Sequence, residues 1–271
     1  MSIPIQLLNH ARSAEIVIDN TAVVSPHADI GPGCHIGPLA VIGPDVRLGA
    51  NSIVSAHGVI EGPTTLGENN RVHPFACIGG APQDKRHQDE PTELVIGNGN
   101  VFREHVTINR GTLHGGGRTV VGNNNLFMAY SHIAHDCRVG DGVVLANHAT
   151  VAGHAVIEDF VVFGGMAAVG TFLRIGESAM LAAGSMVERE VPPFCIVSGD
   201  RARLRAVNRV GLERRGFCDS EKAEIKRIFK ALKGTGTSPA DIVEILENTI
   251  GSEPGKRMLR FLERVSRGLT R

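Results

Sequence analysis

Apolar residues recur at every sixth position along most of the chain, in a series of twenty-six that is interrupted twice. Its members are Ile18, Val24, Ile30, Ile36, Ile42, Leu48, Val54, Ile60, Leu66, Val72, Ile78, Ile96, Phe102, Ile108, Val121, Phe127, Ile133, Val139, Leu145, Val151, Ile157, Phe163, Val169, Ile175, Leu181 and Val187. A period of six matches neither the 3.6 of an α-helix nor the 2.0 of a half-buried strand. It fits a short strand plus a corner, repeated, with one apolar side chain per unit entering a narrow shared core. The pattern therefore predicts a parallel β-helix of hexapeptide repeats.

The positions that flank each periodic residue support this prediction. The next residue is often glycine, as at Gly31, Gly49, Gly122 and Gly164, and glycine permits the dihedral angles and the close backbone approach of a tight corner. The fourth residue is usually small, as at Cys34, Ser52, Cys137, Ala149 and Ala167. A prism interior has no room for a second large side chain, so a small residue is expected there.

The repeat does not occupy the whole chain. Thirty-three glycines and no tryptophan are typical of a solenoid, yet 271 residues leave room for a second unit. After the last periodic residue the pattern turns helical, so we expect a β-helix over 1–197 and an α-helical C-terminal domain over 198–271. Ser238, followed by proline, is expected to cap one helix, Asp219 or Ser220 a second and Ser252 the last.

Two segments break the period inside the solenoid. They lie near 80–94 and 110–119, and the first is charged whereas the second is rich in glycine. Polar insertions cannot pack into the core of a solenoid, so both are expected to leave it as loops. Loops on such scaffolds commonly carry binding groups.

The formal net charge of zero hides an uneven distribution. Residues 198–271 contain 17 Lys and Arg against 10 Asp and Glu, a net of +7, and the preceding 197 contain 11 against 18, a net of −7. One interpretation is a set of helices with solvated faces. The other is a platform for phosphate groups or for an acidic partner.

The chain carries no sign of export. Its five cysteines lack CxxC spacing, as expected for free thiols in a reducing compartment. The first fourteen residues lack a basic region followed by an apolar stretch, and no apolar run is long enough to span a bilayer. We therefore expect a cytoplasmic protein with no integral membrane segment.

A histidine cluster is the strongest candidate for chemistry. If three hexapeptides make one coil, residues 18 apart stack, which places His135 beside Gly153, with His132 and His154 close by. Histidine is suited to moving a proton near pH 7. Zinc held between coils, as in the gamma-class carbonic anhydrases, is a competing interpretation, and plain surface decoration is a third.

Four stretches resemble one enzyme family. They are FREHVTINRGT (102–112), SHIAHDCRVG (131–140), VAGHAVIEDF (151–160) and GLERRGF (211–217). They are similar to the UDP-N-acetylglucosamine O-acyltransferases of lipid A biosynthesis, and the resemblance runs over essentially the whole chain. It implies a homotrimer of left-handed parallel β-helices, each followed by a helical domain. It also implies transfer of an (R)-3-hydroxyacyl chain from acyl carrier protein to the glucosamine 3-hydroxyl of the nucleotide sugar.

The same resemblance implies roles for individual residues. His135 would be the general base, Asp136 would orient it, and the N–H of Gly153 would stabilise the oxyanion. His132 and His154 would contact the sugar and phosphate. The remaining substrate-binding positions are Asp84, Lys85, Arg86, Asn208, Arg214 and Arg215, and Ala183 matches the position that sets acyl length. No metal, cofactor or nucleic acid is expected, and the basic C-terminal domain would meet the acidic carrier protein.

Some positions depart from the family pattern. Gly170 and Thr171 stand where the family usually has His-Gln, and Asn109 stands where a histidine is common. These changes leave open an amino-sugar nucleotide as acceptor, or a catalytically weak binding paralogue. A sister N-acyltransferase and a coenzyme A-dependent acetyltransferase are further alternatives, and so is a β-helix without activity. The repeat begins by Ile18, which argues against the additional N-terminal domain expected of the N-acyltransferase.

Overall fold

The structure is a computed structural model that describes residues 14–234 and 237–271. The expectation that the N-terminus carries no export signal falls mainly on residues 1–13, which lie outside this range. The described residues form the expected fold, a left-handed parallel β-helix followed by a small helical domain.

Short strands and corners alternate along the β-helix. The strands are β1 (Val17–Ile18), β2 (Val23–Val24), β3 (Asp29–Ile30), β4 (His35–Ile36), β5 (Val41–Ile42), β6 (Val46–Leu48), β7 (Ile53–Val54), β8 (Val59–Ile60), β9 (Thr64–Leu66), β10 (Arg71–Val72), β11 (Cys77–Gly80), β12 (Glu93–Ile96), β13 (Val101–Phe102), β14 (Thr107–Asn109), β15 (Arg118–Val121), β16 (Leu126–Phe127), β17 (His132–Ile133), β18 (Arg138–Val139), β19 (Val144–Leu145), β20 (Thr150–Val151), β21 (Val156–Ile157), β22 (Val162–Phe163), β23 (Ala168–Val169), β24 (Arg174–Ile175), β25 (Met180–Leu181), β26 (Met186–Val187), β27 (Cys195–Ser198) and β28 (Arg203–Val207). Every third strand up to β26 pairs in parallel, which gives three sheets: sheet A from β1, sheet B from β2 and sheet C from β3.

The register confirms the predicted stacking distance. His132 pairs with Thr150, and Thr150 pairs with Ala168, so successive coils differ by 18 residues. The distance grows where loops leave the prism: Val72 pairs with Phe102, and Phe102 pairs with Phe127. Residues 81–92 form the first loop, and residues 110–117 form the second with a short 3-10 helix at Leu113–Gly115. The strands that follow the loops, β12 and β15, begin inside the segments that were expected to be loops, and β11 ends at the first residue of the first segment.

The periodic side chains fill the interior of the prism. Ile60, Ile78 and Ile108 are fully buried, as are Cys137 and Ala149 in the slot for small residues. One large and one small side chain per hexapeptide thus complete the core.

The corner geometry differs from the expectation in one respect. The residue with positive φ is the third after the periodic residue, as at Asp136 (φ 60°), His154 (φ 62°) and Phe172 (φ 62°). The glycine directly after the periodic residue serves close approach instead. At Gly164, for example, a β-carbon would overlap the backbone nitrogen of Ala183 on the next coil.

The helical domain closes the end of the β-helix. Its helices are α1 (Arg209–Arg214), α2 (Asp219–Lys233), α3 (Pro239–Leu246) and α4 (Glu253–Glu263), with a 3-10 turn at Glu247–Thr249. Ser238 and Ser252 cap α3 and α4 as predicted, whereas the residue at the N-cap of α2 is Cys218. Sheet A continues beyond residue 197, because β27 pairs with the antiparallel strand β28 before the helices begin at Arg209. None of the helices in the described ranges is both long and apolar enough to cross a membrane.

Candidate active site

His135 and Asp136 form a hydrogen-bonded pair at the corner between sheets B and C. Their Nδ1 and Oδ2 atoms are 2.7 Å apart. Adjacent residues in a strand point to opposite faces, but Asp136 occupies the left-handed corner, which brings both side chains to the same edge. A carboxylate only accepts hydrogen bonds, so Nδ1 of His135 carries the proton and Nε2 is left as the basic nitrogen.

The carboxylate of Asp136 is held by the second loop. It accepts hydrogen bonds from the backbone N–H of Thr112 at 2.9 Å and from the Thr112 hydroxyl at 2.6 Å. Its side chain is only 1% exposed. Burial tends to raise the pKa of Asp136, but the hydrogen bonds from Thr112 and His135 outweigh it and leave the pKa below its ordinary value. Asp136 is therefore ionised and held in a fixed position beside His135.

Gly153 lies under the imidazole of His135, one coil further on. A β-carbon at Gly153 would lie 2.8 Å from Cε1 and 2.9 Å from Nε2 of His135, so only glycine allows this approach. The carbonyl of Gly153 accepts a hydrogen bond from the N–H of Phe172. Its own N–H has no acceptor among the residues of 14–234 and 237–271. A free N–H beside a basic nitrogen can stabilise negative charge on a substrate oxygen.

The two neighbouring histidines complete this edge. The ring of His154 meets that of His135 edge-on, with centroids 5.1 Å apart, and stacks on Phe172 at 4.3 Å. His132 shares a 2.7 Å hydrogen bond with the hydroxyl of Thr107. Burial lowers the pKa of both His132 and His154, and the neighbouring His135 adds to this. Both shifts favour the neutral form of the imidazole.

The first loop brings Asp84 and Arg86 next to the second loop. Arg86 donates to Asp84 from its backbone N–H at 2.9 Å, from Nε at 3.1 Å and from Nη2 at 2.8 Å. Nε2 of His114, in the second loop, lies 3.2 Å from Oδ2 of Asp84. These partners, Arg86 above all, hold the pKa of Asp84 well below its ordinary value. Lys85 is exposed and is free of ion pairs to the rest of the described chain.

The predicted nucleotide-binding residues of the helical domain lie at a different corner. Asn208 caps α1 and donates a 2.9 Å hydrogen bond to the carbonyl of Ser178, at the corner between sheets C and A. Arg215 donates to Ser178 at 2.6 Å, pairs with Glu177 and stacks on Phe160 at 3.9 Å. Arg214 is exposed. A single chain therefore does not bring Asn208, Arg214 and Arg215 together with His135.

Ala183 and Gly170 mark the outer surface near sheet B. Ala183 is exposed at the corner between sheets A and B, in one stack with Asn147 and Gly165. At Gly170 a β-carbon would meet its nearest atoms, in Leu173 and Val187, at 3.4 Å. That distance is ordinary contact, so the scaffold does not require glycine at this position.

The site also offers a possible metal-binding group. One nitrogen each from His135 and His154 and one carboxylate oxygen of Asp136 lie within 4.8 Å of one another. However, Thr112 and His135 already donate to the same carboxylate oxygen. This arrangement favours acid–base chemistry over metal binding.

Three contacting residues were not anticipated from the sequence. They are Thr107, Thr112 and His114, and the last two belong to the glycine-rich loop. The sequence feature that could have identified Thr112 and His114 is their place between glycines in a loop that leaves the repeat.

Known proteins share both the repeat and the C-terminal domain. A family model for the bacterial transferase hexapeptide matches residues 27–62 and 118–153. A second model, for domain 2 of the Udp N-acetylglucosamine O-acyltransferase, matches residues 190–270. The two models thus cover both structural units.

Individual relatives cover most of the chain. It is 43% identical over 218 residues to the acyl-[acyl-carrier-protein]–UDP-N-acetylglucosamine O-acyltransferase of Verminephrobacter eiseniae, covering 79% of this chain and 83% of that protein. The enzyme of the same name from Campylobacter concisus is 40% identical over 253 residues, 93% and 96% of the two chains. The solved structure of the Francisella novicida UDP-N-acetylglucosamine acyltransferase superposes with a TM-score of 0.91 at 34% identity, covering 94% of each chain. The chain therefore belongs to the UDP-N-acetylglucosamine O-acyltransferase family.

Proposed function

We propose that this chain transfers an (R)-3-hydroxyacyl group from acyl carrier protein to the glucosamine 3-hydroxyl of UDP-N-acetylglucosamine, the first step of lipid A biosynthesis. Family membership supports the reaction. The geometry of His135 carries the proposal at the level of residues. Its Nδ1 is held by Asp136 at 2.7 Å, and its ring lies against Gly153.

The geometry supports general-base catalysis without a covalent acyl-enzyme. Nε2 of His135 takes the proton of the 3-hydroxyl as that oxygen attacks the thioester carbonyl carbon. The carbonyl oxygen becomes an oxyanion, which the N–H of Gly153 stabilises. Collapse of the intermediate breaks the carbon–sulfur bond, and the imidazolium returns its proton to the leaving thiolate. Asp136 stabilises that imidazolium through Nδ1–H, and the step requires no cofactor.

The second half of the site is proposed to come from another copy of the chain. Arg214 is exposed on α1, whose N-cap Asn208 is bonded to Ser178 at the corner between sheets C and A, and guanidinium groups suit a diphosphate. A homotrimer in the cytoplasm would bring the corner between sheets C and A of one protomer to the corner between sheets B and C of its neighbour. The basic helical domain would then receive the acidic carrier protein.

Acyl length is proposed to depend on Ala183. Ala183 lies at the end of the stack formed with Asn147 and Gly165. Its small, exposed side chain would not block an acyl chain that runs along this stack, which favours a fairly long acyl chain. Ala183→Met is expected to shift the preferred donor to a shorter chain.

The decisive assay compares the unaltered protein with His135→Ala. Each is given UDP-N-acetylglucosamine, or its 3-amino analogue, with a panel of 3-hydroxyacyl carrier proteins. His135→Ala is expected to lower turnover roughly 10²–10⁴-fold. Equal turnover would refute the general base, and no turnover of any pair by the unaltered protein would refute the reaction. Stoichiometric zinc in the active sample would favour the metal alternative.

Shared sites can be tested by mixing variants. The activities of His135→Ala and Arg214→Ala are measured separately, and the two variants are then coexpressed. If neighbouring copies complete each other's sites, the mixed oligomer has some sites with both native residues and regains activity. Activity no higher than the mean of the two separate variants would contradict the shared site.

A further inference from the structure

His114 links the two ejected loops next to the candidate active site. It lies in the 3-10 helix Leu113–Gly115, and its side chain is 37% exposed. Its Nε2 is 3.2 Å from Oδ2 of Asp84 in the first loop and 3.3 Å from the hydroxyl of Thr112 in its own loop. Thr112 in turn holds Asp136, the partner of His135. The imidazole of His114 thus lies between Asp84, a predicted sugar-binding residue, and Thr112, which holds the partner of the proposed base.

The neighbours of His114 determine which of its nitrogens carries the proton. The carboxylate of Asp84 only accepts hydrogen bonds. The hydroxyl of Thr112 already donates its proton to Oδ2 of Asp136 at 2.6 Å, so it too can only accept from His114. Nε2 of His114 therefore carries the proton: it donates to the Thr112 hydroxyl at 3.3 Å and lies 3.2 Å from Oδ2 of Asp84, at ion-pair distance.

Arg86 supplies the hydrogen bonds to the Asp84 carboxylate in this arrangement. Oδ1 of Asp84 accepts from the backbone N–H and Nε of Arg86, Oδ2 accepts from Nη2 of Arg86, and Nε2 of His114 lies 3.2 Å from the same Oδ2. Two carboxylate oxygens offer about four lone-pair sites. Arg86 takes three of these sites, so a sugar hydroxyl that binds Asp84 competes mainly with Arg86. The Arg86 side chain is 69% exposed and can swing away, whereas Nε2 of His114 is held between two acceptors.

We propose that His114 is a positioning residue for the nucleotide-sugar acceptor. It keeps the carboxylate of Asp84 in place through Nε2–H when the guanidinium of Arg86 gives way to the sugar. This role rests on the proposed function, because it assigns His114 to the acceptor subsite of the same acyltransfer site.

The test separates the hydrogen bond of His114 from its bulk. His114→Leu removes the donor and keeps similar volume, His114→Gln keeps an N–H donor, and His35→Leu is the matched control on an exposed strand of the first coils. Calorimetry measures the Kd for UDP-N-acetylglucosamine in the absence of any acyl donor. Turnover with a 3-hydroxyacyl carrier protein then gives kcat and KM.

In the proposed complex the N–H of His114 holds a charged carboxylate, and losing such a contact implies a roughly tenfold or greater weakening. We expect Kd and KM of His114→Leu to rise by about that factor while kcat falls far less. His114→Gln is expected to stay close to the unaltered protein, and His35→Leu to equal it. A Kd for His114→Leu equal to that of the unaltered protein would overturn the proposal, and so would equal weakening by Leu and Gln. A merely structural role would lower kcat with the folded fraction and leave Kd and KM unchanged.

Failure of the proposed function would look different. The unaltered protein would then neither bind nor acylate the nucleotide sugar. In that case nitrogen-15 spectra of the imidazole at pH 8 decide the positioning role. If His114 is the Nε2–H tautomer in the unaltered protein and becomes a mixture of both tautomers in Thr112→Val, the contact between His114 and Thr112 is supported. An Nδ1–H tautomer in the unaltered protein overturns the proposal.

Discussion

The imidazole of His135 occupies the space into which a side chain at position 153 would project. Its Cε1 and Nε2 atoms lie 2.8 and 2.9 Å from the place of a β-carbon on Gly153. The residues belong to consecutive coils, and the repeat alone brings them together. One stacking contact between consecutive coils thus determines the relative position of the proposed base, His135, and the proposed oxyanion donor, Gly153.

Replacing Gly153 by alanine should damage chemistry more than stability. The new β-carbon must push the ring of His135 away from its place, while the N–H of residue 153 remains. We expect kcat to fall roughly 10²-fold, a value typical of disturbing one oxyanion donor or base. Gly251→Ala is the control, because its β-carbon would lie 3.7 Å from the nearest atom, in Glu224. An unchanged kcat in Gly153→Ala would contradict the contact.

Asp136→Asn should uncouple the base from its orienting group. An amide can donate to Nδ1 and so stabilise the wrong tautomer of His135, which implies a loss of about 10³–10⁴-fold in kcat. Thr112→Val removes the 2.6 Å hydrogen bond to Asp136, together with the contacts of the same hydroxyl with His114 and the N–H of Gly115, but it leaves the carboxylate and the Thr112 N–H in place and should cost clearly less. Steady-state kinetics with saturating acceptor measures the loss of kcat in both variants. A larger loss in Thr112→Val than in Asp136→Asn would contradict the prediction that Asp136 acts directly on the base and Thr112 only through Asp136.

The depressed pKa of Asp136 has a consequence for stability at acid pH. Because folding lowers this pKa from its ordinary value of 3.8, the ionised carboxylate contributes stability above about pH 3.8, and this contribution is lost as pH falls below it. The unfolding free energy of the unaltered protein should therefore fall more steeply between pH 5 and 3 than that of Asp136→Asn. Urea titrations across that range provide the slopes, and parallel slopes would disprove the shift.

Gly170 and Gly164 should respond differently to alanine. At Gly170 the nearest atoms are 3.4 Å from the added carbon, whereas at Gly164 the carbon would overlap the backbone of Ala183. We expect Gly164→Ala to lose about 1–3 kcal/mol of unfolding free energy, as overpacking does, and Gly170→Ala to lose little. Equal losses would mean that Gly170 is a scaffold glycine after all. If the difference holds, Gly170→His can be used to test whether the position affects acceptor affinity.

A buried asparagine should hold the coils in register beside the ejected loops. Asn100 donates 3.0 Å hydrogen bonds to Oδ1 of Asn70 and to the carbonyl of Gly122, and its own Oδ1 accepts from the N–H of Asn125. These residues are 30 and 25 apart, at the coils where the spacing of 18 fails. Asn100→Ala leaves several buried groups unpaired, so we expect a loss of about 2–4 kcal/mol. Chemical unfolding measures it against the exposed Asn20→Ala, and comparable midpoints would contradict the role.

The sequence by itself determined the scaffold and the central contact of the site. A period of six repeats the same local geometry, so the stacking of residues 18 apart follows without knowledge of any distant contact. That was enough to place His135 beside Gly153 and to mark the two loops. The resemblance of four stretches then identified the reaction.

Tertiary structure decided how the site is supported. The contacts of Thr112 and His114 with Asp136 and Asp84 join loops that obey no period, and such contacts depend on how each loop folds back onto the prism. The pairing of His135 with Asp136 likewise required a left-handed corner at Asp136, which residue spacing does not reveal. Spacing also could not show that Arg215 and Asn208 lie at another corner, because the antiparallel pair β27–β28 and the helices leave the repeat before reaching them. Periodic order fixes what is local and repeated, and contacts between distant, aperiodic segments fix the rest.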